Sequence, residues 1–221
     1  MSCPEKVIVV KVGGASLFSS GSEFSELRQY VRSLQQLPNT LSLLIVGGGE
    51  TVESMRILHR YHPELDPKQM HWRCVRLLES TSDAAAELLQ LQRLNTTPFG
   101  LDQIANKLSQ GCYLVDVGSF YHRDSLDWIP SPLVPAETWD TTSDTLAWLL
   151  AFRVQAHELQ WIKKPDCSEI DSVEQATSLG VLDTQLLLLL QNQPSDWKLQ
   201  LNLVYHSAGW KKKEIQWFTK A

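Results

Sequence analysis

Two short apolar runs, each ending in glycines, constrain this chain more than anything else in it. Val7-Ile8-Val9-Val10-Lys11-Val12 leads into Gly13-Gly14, and Leu41-Ser42-Leu43-Leu44-Ile45-Val46 leads into Gly47-Gly48-Gly49. A near-continuous run of β-branched and leucine residues leaves no polar face for water. It predicts a strand covered on both sides, as in a parallel sheet. Glycines at the end of such a strand let the backbone turn tightly and approach a ligand with no Cβ in the way. A helical pattern starts at Glu50-Thr51-Val52-Glu53, directly after the second turn. Two such turns side by side can line one cleft with backbone N–H groups, which together with a helix N-terminus favour an anion. Lys11 adds a cation at the C-terminal end of its strand, where open α/β sheets bind their ligands.

The rest of the chain keeps alternating. Phe24, Leu27, Val31 and Leu34 recur at helical spacing, with Ser22 or Ser25 as cap and Pro38-Asn39 as stop. Thr51 to Tyr61 reads as helix, and Lys68 to Leu94 as one long helix. Cys112 to Val117 and Glu158 to Lys163 read as strands. The proline-rich stretch 119–136 reads as a surface loop, and a helix runs from about Asp140 to Ala156. Helices around Val173 to Leu179 and Thr184 to Gln191 follow. Leu199 to Tyr205 and Glu214 to Phe218 close the chain as strands, joined through Ser207-Ala208-Gly209. Strands alternating with helices predict an α/β fold, a mostly parallel sheet with helices on both faces.

At 221 residues the chain suits one domain spanning 1–221, and 43% hydrophobic residues suffice for a packed core. A formal net charge of -5 argues against sequence-independent nucleic-acid binding. Lys211-Lys212-Lys213 is too short to reverse that and reads as a solvated turn. Cys3, Cys74, Cys112 and Cys167 are scattered without zinc-ribbon or redox spacing, and His59, His62 and His71 have no partners at metal-site spacing. No bound metal site is expected. Neither a signal segment nor a membrane-length apolar run is evident, so a cytoplasmic protein is the expectation. The eight tryptophans mostly follow apolar periodicity and read as core.

The lysine precedes its glycines, so the phosphate loop Gly-x-x-x-x-Gly-Lys-[Ser/Thr] is absent, as is the dinucleotide pattern Gly-x-Gly-x-x-Gly. Lys11 remains suited to offsetting phosphoryl charge, since phosphoryl transfer depends on positioning and charge stabilisation. Asp144 begins a helix behind Thr141 or Thr142. It either complements the helix dipole or holds lysine ammonium groups in place.

Taken in order, Val10-Lys11-Val12-Gly13-Gly14-Ala15-Ser16-Leu17, Val46-Gly47-Gly48-Gly49 and a Ser-Asp-x-x-Ala helix start resemble the amino acid kinase superfamily. Met70-His71-Trp72 and Trp139-Asp140-Thr141-Thr142-Ser143-Asp144-Thr145-Leu146-Ala147 resemble, more narrowly, the aminomethylfuranylmethyl phosphate kinases of methanofuran biosynthesis, in one-carbon metabolism. The resemblance covers roughly residues 7 to 205. It implies a three-layer αβα sandwich and an ATP- and Mg²⁺-dependent kinase acting on a small phosphate or carboxylate. It also implies a homo-oligomer. Lys11 would stabilise the transferring phosphoryl group, and Asp144 would organise the lysines. Gly13, Gly14 and Ser16, with Gly47, Gly48 and Gly49, would line the substrate side. Lys163, Lys164 and Asp166 would lie beside ATP, with Lys163 or Lys164 standing in for a second catalytic lysine that no late motif supplies. Cys167 and Ser168 replace the Gly-Val usual after that aspartate. This departure keeps open a second reading, a non-catalytic relative that binds or senses an anion or nucleotide.

Overall fold

The computed structural model describes residues 4–94, 110–164, 166–207 and 209–217. The strands are β1 (Lys6–Val12), β2 (Thr40–Val46), β3 (Gln92–Leu94), β4 (Gly111–Val115), β5 (Glu158–Lys163), β6 (Gln200–His206) and β7 (Trp210–Glu214). The helices are α1 (Gly14–Leu17), α2 (Gly21–Gln35), α3 (Gly49–Tyr61), α4 (Pro67–Leu89), α5 (Ser143–Arg153), α6 (Val173–Ser178) and α7 (Gln185–Gln191).

The strands form one seven-stranded sheet in the order β3-β4-β2-β1-β5-β6-β7. All pairs are parallel except β6 with β7. Alternate residues of the apolar strands serve opposite faces. Val7 and Val9, with Leu41, Leu43 and Ile45, meet Trp72, Val75 and Leu78 of α4 and the buried body of α5. Ile8, Val10 and Val12, with Leu44 and Val46, meet Leu27, Val31 and Leu34 of α2 and Ala85 and Leu89 of α4. The result is the expected three-layer αβα arrangement around a mostly parallel sheet.

The site follows from the strand order. The chain runs outward one way from β1 through β2 and returns on its other side at β5. The order reverses at β1, and the C-terminal ends of β2, β1 and β5 flank the crevice that such a reversal opens.

Some local expectations are corrected. The long helix stops at Leu89 because Gln90 adopts a left-handed conformation (φ 57°), a common helix terminator. Gln92–Leu94 then pairs with β4 as an edge strand. The third expected strand ends at Val115, and Val117–Ser119 forms a 3₁₀ turn. The final strand is Trp210–Glu214 rather than a segment beginning at Glu214. The lysine run therefore lies within an edge strand, where charged side chains discourage pairing with another sheet. Phe218 and Ala208 lie outside the described residues.

Candidate active site

Three elements converge on one buried carboxylate. Lys11 is the penultimate residue of β1, and Lys163 is the last residue of β5. Asp144 lies in the first turn of α5, where Thr142 caps the helix and its side chain accepts from the Asp144 N–H. The helix start is further held by the Trp161 indole N–H, which donates to the Asp144 carbonyl at 3.3 Å. Lys11 Nζ lies 2.8 Å from Asp144 Oδ1, and Lys163 Nζ lies 2.6 Å from Oδ2. Lys11 and Asp144 are almost wholly buried, with 5% and 4% of their surface exposed.

Burial by itself would raise the Asp144 carboxyl, but the two ammonium groups outweigh it and hold the group below the usual carboxylate range. Lys163 is pushed below the usual lysine range by burial, with the Lys11 charge adding to the shift and Asp144 opposing it. Each Asp144 oxygen thus faces its own cation, and the carboxylate is engaged on both sides.

Asp183, which sequence reasoning did not single out, completes the wall. Its Oδ2 accepts from Thr142 N at 2.7 Å, Thr145 Oγ1 at 2.8 Å and Thr145 N at 3.3 Å, holding the start of α5 from outside the helix. Burial and the Asp144 charge push its carboxyl up to about 6, against the lowering effect of those hydrogen bonds. Asp183 follows a Gly180-Val181-Leu182 turn, and no periodicity or motif distinguishes it from an ordinary helix-start aspartate.

The glycines are demanded by contact as much as by turning. A Cβ on Gly14 would overlap the backbone N and Cα of Gly49, so the two glycine turns lie directly against each other. A Cβ on Gly47 would come within 2.9 Å of Ser143 Oγ and 3.4 Å of Lys11 Cε. Gly13 N–H donates to Ile162 O at 3.0 Å and Gly47 N–H to Val12 O at 2.9 Å, tying the strand ends together. Those two amides are therefore not offered to a ligand. Gly14 and Gly49 open α1 and α3, where the leading N–H groups lack an intrahelical partner, whereas Ser16 N–H and Thr51 N–H already donate to Gly13 O at 3.0 Å and Gly48 O at 3.2 Å.

These groups line a cleft of ≈ 360 Å³ that includes Lys11, Gly14, Gly47–Gly49, Asp144, Lys163 and Asp183. The sequence-derived candidates Gly13 and Ser16 are not on that lining, and Ser16 is buried behind it. Lys164 points elsewhere, half exposed and 3.3 Å from Glu23. Asp166 is exposed and accepts from Ser168 N at 2.8 Å. Cys167 is fully buried in the core, which accounts for an apolar side chain where a glycine was expected.

The far wall comes from α3, α4 and the loop before α5. His71 lines it, with Nδ1–H donating to Thr138 O at 3.2 Å and Nε2 accepting from Tyr121 O–H at 3.0 Å. Its neighbour Trp72 turns inward, stacked on Tyr121 with ring centroids 5.0 Å apart and donating to Glu137 at 2.7 Å. Of the two residues, only His71 reaches this cleft.

No protein-family model matches the sequence, and no curated protein matches it. Solved structures do. UMP kinase from Ureaplasma parvum aligns over 90% of this chain and 88% of its own, at 14% identity and a TM-score of 0.56. UMP kinase from Bacillus anthracis aligns over 90% and 87%, at 12% identity and 0.56. Aspartate kinase from Synechocystis covers 95% of this chain but only 40% of its own length, at 13% identity and 0.58. With so few identities, what is shared is the path of the backbone: this chain has the fold of the UMP and aspartate kinases.

Proposed function

We propose that this protein is an ATP-dependent small-molecule kinase of the amino acid kinase superfamily, transferring the terminal phosphoryl group of ATP to a small anionic acceptor. The observation that carries the reading is the Lys11–Asp144–Lys163 cluster at the mouth of two abutting glycine turns. Lys11 and Lys163 offset the charge on the phosphoryl oxygens, and Asp144 fixes both ammonium groups beforehand, so that little reorganisation is needed during transfer.

The same geometry favours an acceptor that is already an oxyanion. The new bond joins the acceptor oxygen to phosphorus as the bond from phosphorus to the ADP oxygen breaks. An alcohol would also have to lose a proton, and Asp144, engaged by two lysines, is not free to take it. A phosphate monoester or carboxylate has no such proton to lose. The resemblance to the aminomethylfuranylmethyl phosphate kinases points to a phosphate monoester of methanofuran or related one-carbon cofactor metabolism. Mg²⁺ would arrive with ATP and shield its phosphates. Lys11 and Lys163 suit that arrangement, since Mg²⁺ usually keeps waters and substrate phosphates as ligands.

The resemblance to these kinases supports a division of the cleft into a nucleotide end and an acceptor end. The nucleotide would lie towards β5 and Lys163, and the acceptor towards β2, the triple glycine and α3. A coupled ADP-release assay over a panel of small phosphates and carboxylates tests the proposal. ADP formation dependent on one acceptor is expected. Nucleotide binding without turnover on any acceptor would instead support the anion- or nucleotide-sensing reading, motivated by Cys167-Ser168.

A further inference from the structure

The helix that carries Asp144 is capped from outside itself. The leading N–H groups of an α-helix have no partner in a preceding turn. A capping box satisfies them locally: the N-cap side chain takes one, and a Glu or Gln at the third helical position reaches back to the N-cap N–H. In α5 the N-cap is Thr142, and the third position holds Thr145, whose hydroxyl donates to Asp183 Oδ2 at 2.8 Å instead. Asp183 supplies the missing half of the box. The same Oδ2 accepts from the Thr142 N–H at 2.7 Å and from the Thr145 N–H at 3.3 Å. The helix's own cap, Thr142 Oγ1 accepting from the Asp144 N–H, is longer than the Thr142 bond at 3.3 Å. The tighter hold on the helix start therefore comes from a residue 41 positions away.

Asp183 is fixed at its own end as well. Gly180, with φ at 68°, turns the chain out of α6. Its N–H donates to Thr177 O at 3.0 Å, and the Val181 N–H to Ala176 O at 2.8 Å. Leu182 is buried in the core, and the Leu186 N–H of α7 donates to Asp183 O at 3.3 Å. Gly180, Val181, Leu182 and Asp183 also line the cleft that holds Lys11 and Lys163. The turn is thus both a wall of the cleft and a brace on the start of α5. Asp144 lies between the two braced residues, Thr142 and Thr145, and each of its oxygens faces an ammonium group. Asp183 Oδ1 is buried with no hydrogen-bond partner among the described residues. A neutral acceptor would serve the three bonds at lower desolvation cost. The carboxylate in addition brings a second negative charge to the two lysines, and that charge opposes the downward effect of burial on Lys163.

From this we infer that Asp183 is a positioning residue for phosphoryl transfer: acting through the first turn of α5, it fixes where Asp144 presents the ammonium groups of Lys11 and Lys163 to the phosphoryl oxygens. A helix end left to its local cap frays. A misplacement of about 1 Å at a reacting centre can cost about 10²-fold in rate. The inference rests on the kinase reading for what the cluster does, but the bracing itself does not require turnover.

The test compares the full chain with Asp183→Ala, which removes the brace, and Asp183→Asn, which keeps an accepting oxygen and removes the charge. Without substrates, brief labelling with acetic anhydride followed by peptide mass spectrometry reads the reactivity of Lys11 and Lys163 against the exposed Lys198. Asp183→Ala should raise both reactivities at least threefold, and Asp183→Asn by less than half as much. Lys6 and Lys212, paired with Glu158 at the opposite end of the sheet, should stay within twofold of wild type. Thr145→Val removes one of the three bonds from the other side and should shift Lys11 and Lys163 in the same direction, which keeps the test open should Asp183→Ala not fold. With an acceptor found in the ADP-release assay, kcat should fall at least tenfold in Asp183→Ala and recover in Asp183→Asn, with KM for ATP and acceptor within twofold of wild type. The inference is overturned if Lys11 and Lys163 keep wild-type reactivity in Asp183→Ala, if Lys6 and Lys212 rise in parallel, if Asp183→Asn matches Asp183→Ala, or if KM rises at unchanged kcat. Raised lysine reactivity in a chain whose wild type turns over no acceptor would remove the kinase activity and retain the brace. Wild-type kcat in Asp183→Ala would retain the kinase and remove this role.

Discussion

The backbone of Gly14 lies against that of Gly49 with no room for a side chain between them. These residues belong to different strand–turn–helix units, so their contact is what joins the two glycine turns into one cleft. Gly14→Ala must separate them. Overpacking of this kind costs about 1–3 kcal/mol, here against backbone that cannot swing aside. A fall in denaturant midpoint together with loss of nucleotide or anion binding is expected. Wild-type binding in a stable Gly14→Ala protein would show that the close contact is incidental.

Asp144 holds two buried cations, so its neutralisation should harm more than one property. Asp144→Asn leaves Lys11 and Lys163 facing each other without a counter-charge, and breaking a buried ion pair costs about 3–5 kcal/mol. A large drop in melting temperature and loss of turnover are expected together. Lys11→Ala removes one of the cations instead, and should lower kcat by about 10²-fold or more while far-UV circular dichroism stays unchanged. Retained activity in folded Lys11→Ala would exclude the role assigned to it.

The opposite end of the sheet carries a second buried carboxylate between two lysines. Glu158, 1% exposed, meets Lys6 at 2.6 Å and Lys212 at 2.9 Å, and also accepts from Gln160 at 2.7 Å and Asn202 at 3.0 Å. Burial would raise its carboxyl, but the hydrogen bonds from Lys6, Lys212 and Gln160 and the Lys212 charge lower it overall. A lowered folded-state value means stability that is present above the ordinary glutamate value of 4.5 and lost as pH falls through and below it. Glu158→Gln should flatten this acid limb and cost a few kcal/mol at neutral pH, about 3–5 if the whole network fails. Nucleotide affinity should not change. Because Lys212 is 44% exposed, Lys212→Ala should cost only about 1 kcal/mol or less.

Asp183 has the reverse sign. Its carboxyl is raised from 3.8 to about 6, so between those values the folded chain binds more protons than the unfolded one. This group therefore adds stability as pH falls from 7 towards 5. His71, lowered by burial, acts oppositely over the range below 6.5, so the wild-type curve alone mixes the two. The difference between wild type and Asp183→Asn isolates Asp183. The amide oxygen can still accept from Thr142 and Thr145, and the wild-type advantage at pH 5 should shrink or reverse by pH 8. Parallel melting curves from pH 5 to 8 would refute this assignment.

Local sequence carried the framework. Val7–Val12 and Leu41–Val46 have no polar face, which forces burial on both sides and hence a parallel sheet between helical layers. The glycines after them marked the strand ends where the cleft forms, and a threonine cap, Thr141 or Thr142, marked the start of the helix carrying Asp144, with the structure selecting Thr142. Tertiary structure decided the partners. Lys163 and Lys164 are adjacent and chemically alike, yet the alternation of side chains at a strand end sends one to Asp144 and the other to Glu23. Gln90 ended a helix whose apolar spacing continues past it, because backbone handedness leaves little trace in hydrophobic pattern. Asp183 acquires meaning only from what folding brings beside it, a helix start some forty residues earlier in the chain. Hydrophobic periodicity is a local property and is written along the chain. Charge pairing across a cleft depends on distances that exist only once the sheet has formed.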